Sequence, residues 1–282
     1  MIINKINREI FKKFYKIGYF MVFFFKPISS LNNKIEASKE SYLRLWKNTK
    51  SEQFPEVDKY EKMTGFKIDD KWYHELALHT QVVKKKSKLN YAHGRLLYST
   101  LRKYIEDLKE NNKIPHLRII ETGTARGFSS LCMAKALNDS SCEGNIITLD
   151  VIPNNTKLYW NCIDDHEGKK TRLELLSKWS FLVNRFITFI EGDSANELRK
   201  ISIDRINFAF LDGSHTYKDV ISEFNHIKKQ QLSGDIIFFD DYNKEKFPGI
   251  VKAVDKICSE ENYNKQKFFS SHERGYVIAK KK

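Results

Sequence analysis

Short apolar runs recur through the second half of the chain, at 118–121, 145–150, 186–191, 206–211 and 235–239, and acidic or glycine-bearing segments close them. Runs of four to six apolar residues without strict alternation read as strands buried on both faces, the pattern of a parallel sheet. The stretches between them carry helical spacing, most plainly at 216–231. Strand and helix therefore alternate, which predicts a doubly wound α/β fold. Two last runs, 266–270 and 275–279, read as an antiparallel pair, preceded by a helix over 248–258. Ahead of the first strand, 36–50 and 70–83 look helical, separated by a loop around Phe54-Pro55. Asn90-Tyr91-Ala92-His93-Gly94 leads into a longer helix through about 109, with Leu96, Leu97, Leu101, Tyr104, Ile105 and Leu108 in helical spacing. The chain divides into a helical N-terminal extension, 1–88, and an α/β domain, 89–282.

Two strand exits carry the sharpest chemistry. Leu211-Asp212-Gly213-Ser214-His215 and Phe238-Phe239-Asp240-Asp241-Tyr242 each end an apolar run, with one helix between them. A right-handed crossover makes the two strands parallel, so Asp212 and the Asp240-Asp241 pair emerge at the same sheet edge, roughly 5 to 10 Å apart. Three carboxylates so close repel one another, and a hard divalent cation held by oxygen ligands relieves that repulsion. Taken singly, each aspartate reads as a helix cap or a solvated loop residue. Together at the carboxyl ends of strands, where open α/β sheets hold ligands, they read as a metal set.

Upstream, Arg118-Ile119-Ile120-Glu121-Thr122-Gly123-Thr124-Ala125-Arg126-Gly127-Phe128-Ser129 has the form of strand, glycine turn and helix start. Gly123 and Gly127 let the backbone approach a ligand, and the following helix offers free N–H groups. The Gly-x-x-x-Gly spacing differs from the dinucleotide fingerprint, and Glu121 suits a positively charged cofactor better than a pyrophosphate. Asp150, at the end of the next strand, is placed to bind ribose hydroxyls or to cap a turn. Asp193 and Ser194, in Gly192-Asp193-Ser194, are placed to cap a helix, with contact to an adenine edge as a second role.

In order and spacing, Glu121 to Gly127, Asp150, Gly192-Asp193-Ser194 and Asp212 resemble the successive motifs of class I S-adenosylmethionine-dependent methyltransferases. Asp212 to His215 and Asp240-Asp241 are similar to the metal-dependent O-methyltransferases of the catechol and macrolide-sugar types. The resemblance covers about 90–280. It implies a mostly parallel seven-stranded sheet with an antiparallel C-terminal hairpin. It also implies S-adenosyl-L-methionine bound by Glu121, Gly123, Thr124, Gly127, Ser129, Asp150, Asp193 and Ser194. Mg2+ or another divalent cation would sit on Asp212, Asp240 and Asp241, with His215 as the base and a small-molecule or sugar hydroxyl as acceptor. Base-modifying amino-methyltransferases carry an Asn/Asp-Pro-Pro-aromatic element where this chain has Asp212-Gly213-Ser214-His215, which speaks against nucleobase methylation. A nicotinamide-dependent oxidoreductase and a non-catalytic binding module stay open as alternatives.

Composition narrows the setting. The net charge of +13 admits nucleic acid, but no basic stripe with interleaved aromatics falls within these motifs. Nucleic acid is therefore not expected, and the charge suits an acidic acceptor or an anionic membrane face. Four cysteines without paired spacing predict reduced thiols and a cytoplasmic setting. In 1–26 a basic start leads into a short aromatic run, too short to span a bilayer, which needs about 20 apolar residues. A membrane-surface helix at the inner face, a homo-oligomer contact and a plain capping helix all fit it, and secretion ranks low. The segment Cys162-Ile163-Asp164-Asp165-His166-Glu167 lacks the ligands of a structural zinc site. It reads as a polar loop beside the cofactor pocket, ahead of a helical stretch over about 169–183, with Tyr159 and Trp160 either contacting substrate or packed below. His93 is a marginal substrate-site candidate.

Overall fold

The computed structural model describes residues 34–111, 116–271 and 274–282; the basic, aromatic start at 1–26 lies outside them. Three helices open the described chain: α1 (Lys39–Lys50), α2 (Pro55–Thr64) and α3 (Asp70–Thr80). α4 (His93–Glu110) follows, then β1 (Leu117–Thr122), α5 (Phe128–Asp139) and β2 (Gly144–Asp150). Beyond them come α6 (Arg172–Leu175), α7 (Ser180–Phe186), β3 (Ile187–Glu191), α8 (Ser194–Glu197) and β4 (Phe208–Leu211). The chain ends with α9 (Tyr217–Ile227), β5 (Ile236–Phe239), α10 (Pro248–Glu260), β6 (Tyr263–Ser271) and β7 (Arg274–Lys281).

Among the described residues seven strands form one sheet in the order β3-β2-β1-β4-β5-β7-β6. β1 to β5 run parallel, and β7 pairs antiparallel with both β5 and β6. This is the doubly wound sheet with a reversed terminal hairpin expected from the sequence, the class I methyltransferase fold.

Period-two geometry sends neighbouring side chains to opposite faces. In β4, Phe208 and Phe210 join one buried cluster, with α2 to α5 and α7, while Ala209 and Leu211 join the other, with α9 and α10. Both faces are covered, which is why the strands read as continuous apolar runs rather than as alternating ones. The helices of the extension are part of this packing: Val57 and Tyr60 of α2 and Tyr73, Leu76 and Ala77 of α3 share the first cluster with the sheet.

Two local expectations differ from the structure. Residues 55–64 form a helix, where the sequence reading placed a loop around Phe54-Pro55. Pro55 stands at the first helical position, Glu56 and Asp58 occupy the first turn, and Gly65 ends the helix at φ 78, all ordinary helix-boundary chemistry. The stretch expected to be helical over 169–183 is broken: α6 ends at Leu175, a 3-10 turn spans Ser177–Trp179, and α7 starts at Ser180. At that break Leu176 is fully buried against the Gly127 turn, so close that a Cβ on Gly127 would lie 2.7 Å from its Cδ1.

Candidate active site

Strand order reverses between β1 and β4, and in open α/β sheets ligands sit outside the carboxyl ends of the strands at such a point. There Gly123 passes directly over the backbone of Asp212. Its φ is 89, and a Cβ would lie 2.3 Å from the Asp212 carbonyl oxygen, so only glycine fits. A cavity of about 530 Å³ opens at this edge, lined by Gly123, Asp150, Asp193, Ser194, Asp212 and His215 among others.

Behind the cavity wall the glycine turn is tied down from inside. Glu121 is fully buried and accepts hydrogen bonds from the Ser129 and Ser130 hydroxyls. Burial pushes its carboxyl up, and those hydroxyl bonds partly offset the effect. Thr124 pairs with Thr148 at 2.6 Å, and Gly127, at φ 81, starts α5. Glu121, Thr124, Gly127 and Ser129 thus shape the turn and do not line the cavity. Asp150 reaches it: its carboxylate accepts from the backbone N–H of Ala125 (2.5 Å) and of Ile152 (2.8 Å), which fixes its position at the rim. Arg172, fully buried, donates from Nε to the Ala125 carbonyl at 3.0 Å. It is a supporting residue that no local sequence signal marked.

Asp193 caps α8 by accepting from the Asn196 N–H, while the Ser194 hydroxyl donates to Glu223 at 2.5 Å. Glu223 was also unmarked in the sequence. It lies on α9 under the cavity floor, 1% exposed, and accepts a second hydrogen bond from Thr122 at 3.2 Å. Burial pushes its carboxyl up from 4.5 to about 7. Between those pH values the unfolded chain has lost the proton that the folded protein keeps, so stability falls as pH rises, by up to about 3 kcal/mol. In urea unfolding at pH 5 and pH 8, Glu223→Gln is expected to remove most of this loss. Equal pH dependence in both proteins would refute it.

At the ends of β4 and β5, Asp212, His215 and Asp241 each offer a ligand atom, and these atoms all lie within 4.8 Å of one another. The His215 Nε2 to Asp241 Oδ2 distance is 2.9 Å, and the imidazole stacks on Phe247 with centroids 4.8 Å apart. Asp241 takes a left-handed conformation, φ 54, which is uncommon outside glycine and concentrates at functional sites. That turn separates it from its neighbour. Asp240, read from the sequence as part of the metal set, is fully buried and falls outside that trio, although its charge acts on Asp212 at least as strongly as that of Asp241. The Asp240 Oδ2 accepts from Arg274 Nη2 at 2.5 Å, and its Oδ1 from the Asp241 N–H at 2.6 Å.

The electrostatics follow from this packing. Desolvation pushes the Asp212 carboxyl well above the usual carboxylate range, and repulsion from Asp240 and Asp241 adds to it. Burial likewise raises Asp240, with Arg274 offsetting part of the effect. Burial alone would raise Asp241, but the His215 hydrogen bond and Arg274 hold it below the ordinary value. The same hydrogen bond raises the His215 imidazole. Ionising Asp212 beside the Asp240 and Asp241 carboxylates is what the site resists, and a bound cation would relieve that.

His215 also lines a second cavity, of about 720 Å³, whose other walls include Lys85, Lys88, Asn90, Asp241, Phe247 and Arg274. His93 does not reach it. His93 is 2% exposed, beside Phe128, Phe210 and Tyr276. The Cys162 segment is a 3-10 turn whose polar groups are internally satisfied: Asp164 meets His79 at 2.6 Å and Lys170 at 3.2 Å, and Asp165 accepts from the Trp160 N–H. Trp160 is 1% exposed and donates from Nε1 to the Lys170 carbonyl, so it packs below the loop. All four cysteines are free and buried. Among the described residues no helix is long and apolar enough to cross a membrane.

Residues 120–242 match the family model described as a methyltransferase domain. Uncharacterized protein R132 of Acanthamoeba polyphaga mimivirus is 31% identical over 84 residues, spanning 25% of this chain and 38% of that protein. The chain thus spans well under half the length of this curated relative. Among solved structures, the O-methyltransferase from Bacillus cereus in complex with SAH superposes with a TM-score of 0.51 at 14% identity, over 82% of this chain and 93% of that one. The O-methyltransferase TomG from Streptomyces achromogenes, solved with SAM, gives 0.53 at 14% identity, over 77% and 92%. At such identity the likeness is one of fold.

Proposed function

We propose that this chain, which carries a class I S-adenosylmethionine-dependent methyltransferase domain, is an O-methyltransferase that uses a divalent cation and His215 to activate a hydroxyl group of a small molecule or sugar. The observation that carries the reading is the convergence of Asp212, His215 and Asp241 where the two cavities meet. The 530 Å³ cavity is the cofactor side. Its rim offers Asp150 for ribose hydroxyls, and Asp193 and Ser194 stand where the adenine would lie. The 720 Å³ cavity is the acceptor side.

The Asp212 and Asp241 carboxylates are hard oxygen donors suited to Mg2+ or Mn2+. A dication held there would lower the pKa of an acceptor hydroxyl and stabilise the developing charge. His215, side chain 46% exposed, is oriented by the Asp241 contact at Nε2 and by Phe247, and takes the hydroxyl proton at Nδ1. A base so positioned contributes about 10² to 10⁴ in rate. With S-adenosylmethionine bound, the acceptor oxygen would take its methyl group, the carbon–sulfur bond breaking with its electron pair left on sulfur. Gly123 keeps the cofactor edge open at this junction, so the chain supplies alignment of oxygen, carbon and sulfur, which is worth much of the remaining barrier. Asp240 serves the site through Arg274, as an anchor for the Asp241 turn.

Calorimetric titration with S-adenosylmethionine, with and without Mg2+, tests the reading, together with transfer of a labelled methyl group into a cell extract. One binding site per chain and metal-dependent labelling are expected. A chain that binds no S-adenosylmethionine at millimolar concentration would refute the assignment.

A further inference from the structure

Resting on that reading of the acceptor cavity, we infer that the acceptor is an anionic, phosphate-bearing hydroxyl compound whose phosphate is held by Lys85 and Lys88 at the cavity mouth. The walls bring four cationic side chains together, Lys85, Lys88, Lys246 and Arg274, against two carboxylates, Glu52 and Asp241. Much of this charge is already matched. Lys88 meets Glu52 at 3.0 Å, and Arg274 is engaged by Asp240 with Asp241 beyond it at 3.7 Å. Lys85 makes no close ion pair among the described residues, although the charges of Asp241 and Asp240 attract it. Desolvation by the cavity walls pulls its ammonium below the ordinary lysine range, and Arg274 repels it. A neutral acceptor would deepen that desolvation without compensation, whereas a phosphate answers it with a charge-assisted hydrogen bond.

The backbone of the lysine segment is held at both ends, its side chains exposed. The run Lys84-Lys85-Lys86-Ser87-Lys88 is pinned at its start by Asn161, whose side chain accepts from the Lys84 N–H and donates to the Lys84 carbonyl, both at 2.9 Å. Asn161 is itself left-handed, φ 54, and accepts from the Tyr42 hydroxyl at 3.1 Å. At the far end Asn90 donates to Ser270 at 2.8 Å and accepts from the Ala92 N–H at 2.9 Å. Two asparagines thus fix the path of a lysine-rich segment along the cavity mouth, which limits the backbone ordering left to be done on binding. A cavity of about 720 Å³ takes a small phosphorylated molecule.

The test uses the full chain saturated with S-adenosylhomocysteine, without added divalent cation, titrated with inorganic pyrophosphate by calorimetry at low salt. Saturable binding is expected, weakened about tenfold or more in Lys85→Gln and further in Lys85→Glu. Affinity for S-adenosylhomocysteine and the thermal melt should match the parent protein in both variants. Pyrophosphate that fails to bind, binds the variants equally, or displaces S-adenosylhomocysteine overturns the inference. A chain that binds no S-adenosylhomocysteine sinks the functional reading itself, so the two failures are distinguishable.

Discussion

Replacing Asp212 and Asp241 together by alanine will leave S-adenosylmethionine binding in place and lower methyl transfer by about a thousandfold or more. The size follows from two effects removed at once. A dication at this position would stabilise the acceptor's developing charge by several kcal/mol. His215 also loses the carboxylate 2.9 Å from its Nε2, and with it the orientation and raised proton affinity of a base. Mn2+ reports the binding half without any acceptor: electron paramagnetic resonance should count one bound Mn2+ per parent chain and none in the double variant. The metal-free variant should fold at least as firmly in the Asp212 half of the site, because desolvation and two neighbouring carboxylates disfavour that charge. Undiminished transfer by the double variant, or full transfer by the parent protein in excess chelator, would remove the metal from the mechanism.

The sheet was legible because burial on both faces leaves a direct mark in the sequence, four to six apolar residues without alternation. Asp212 and Asp241 were legible because strand ends at a reversal of strand order collect ligands. Which member of Asp240-Asp241 faces the junction was not. That depends on a left-handed turn at Asp241 and on Arg274, which stands 33 residues further on from Asp241 and meets Asp240 only through the β5–β7 pairing. The glycine-turn residues show the complementary limit. Glu121, Thr124 and Ser129 stand at motif positions, yet their side chains turn inward to each other and to Ser130 and Thr148. Spacing along a chain identifies the turn, and only packing decides which of its side chains meet the ligand. Glu223 and Arg172 carry no local signature at all, since each gains its role from partners far away in sequence.

Arg274→Met should destabilise the protein by about 3 to 5 kcal/mol, because it leaves the fully buried Asp240 carboxylate without its counter-charge. Arg274 starts β7 and Asp240 follows β5, so their 2.5 Å contact fastens the terminal hairpin to the reacting edge of the sheet. Adding Asp240→Asn to Arg274→Met removes the stranded charge and should return much of the lost stability in urea unfolding, since neutral side chains of similar volume often replace a buried pair with little penalty. A single variant within about 1 kcal/mol of the parent, or a double variant no better than the single, would contradict the pairing. The same double variant separates anchor from ligand. Mn2+ binding that survives it leaves Asp212 and Asp241 as the carboxylates that hold the ion. Binding lost in a protein that remains folded would return Asp240 to the metal set, with Arg274 then holding its charge only until a cation arrives.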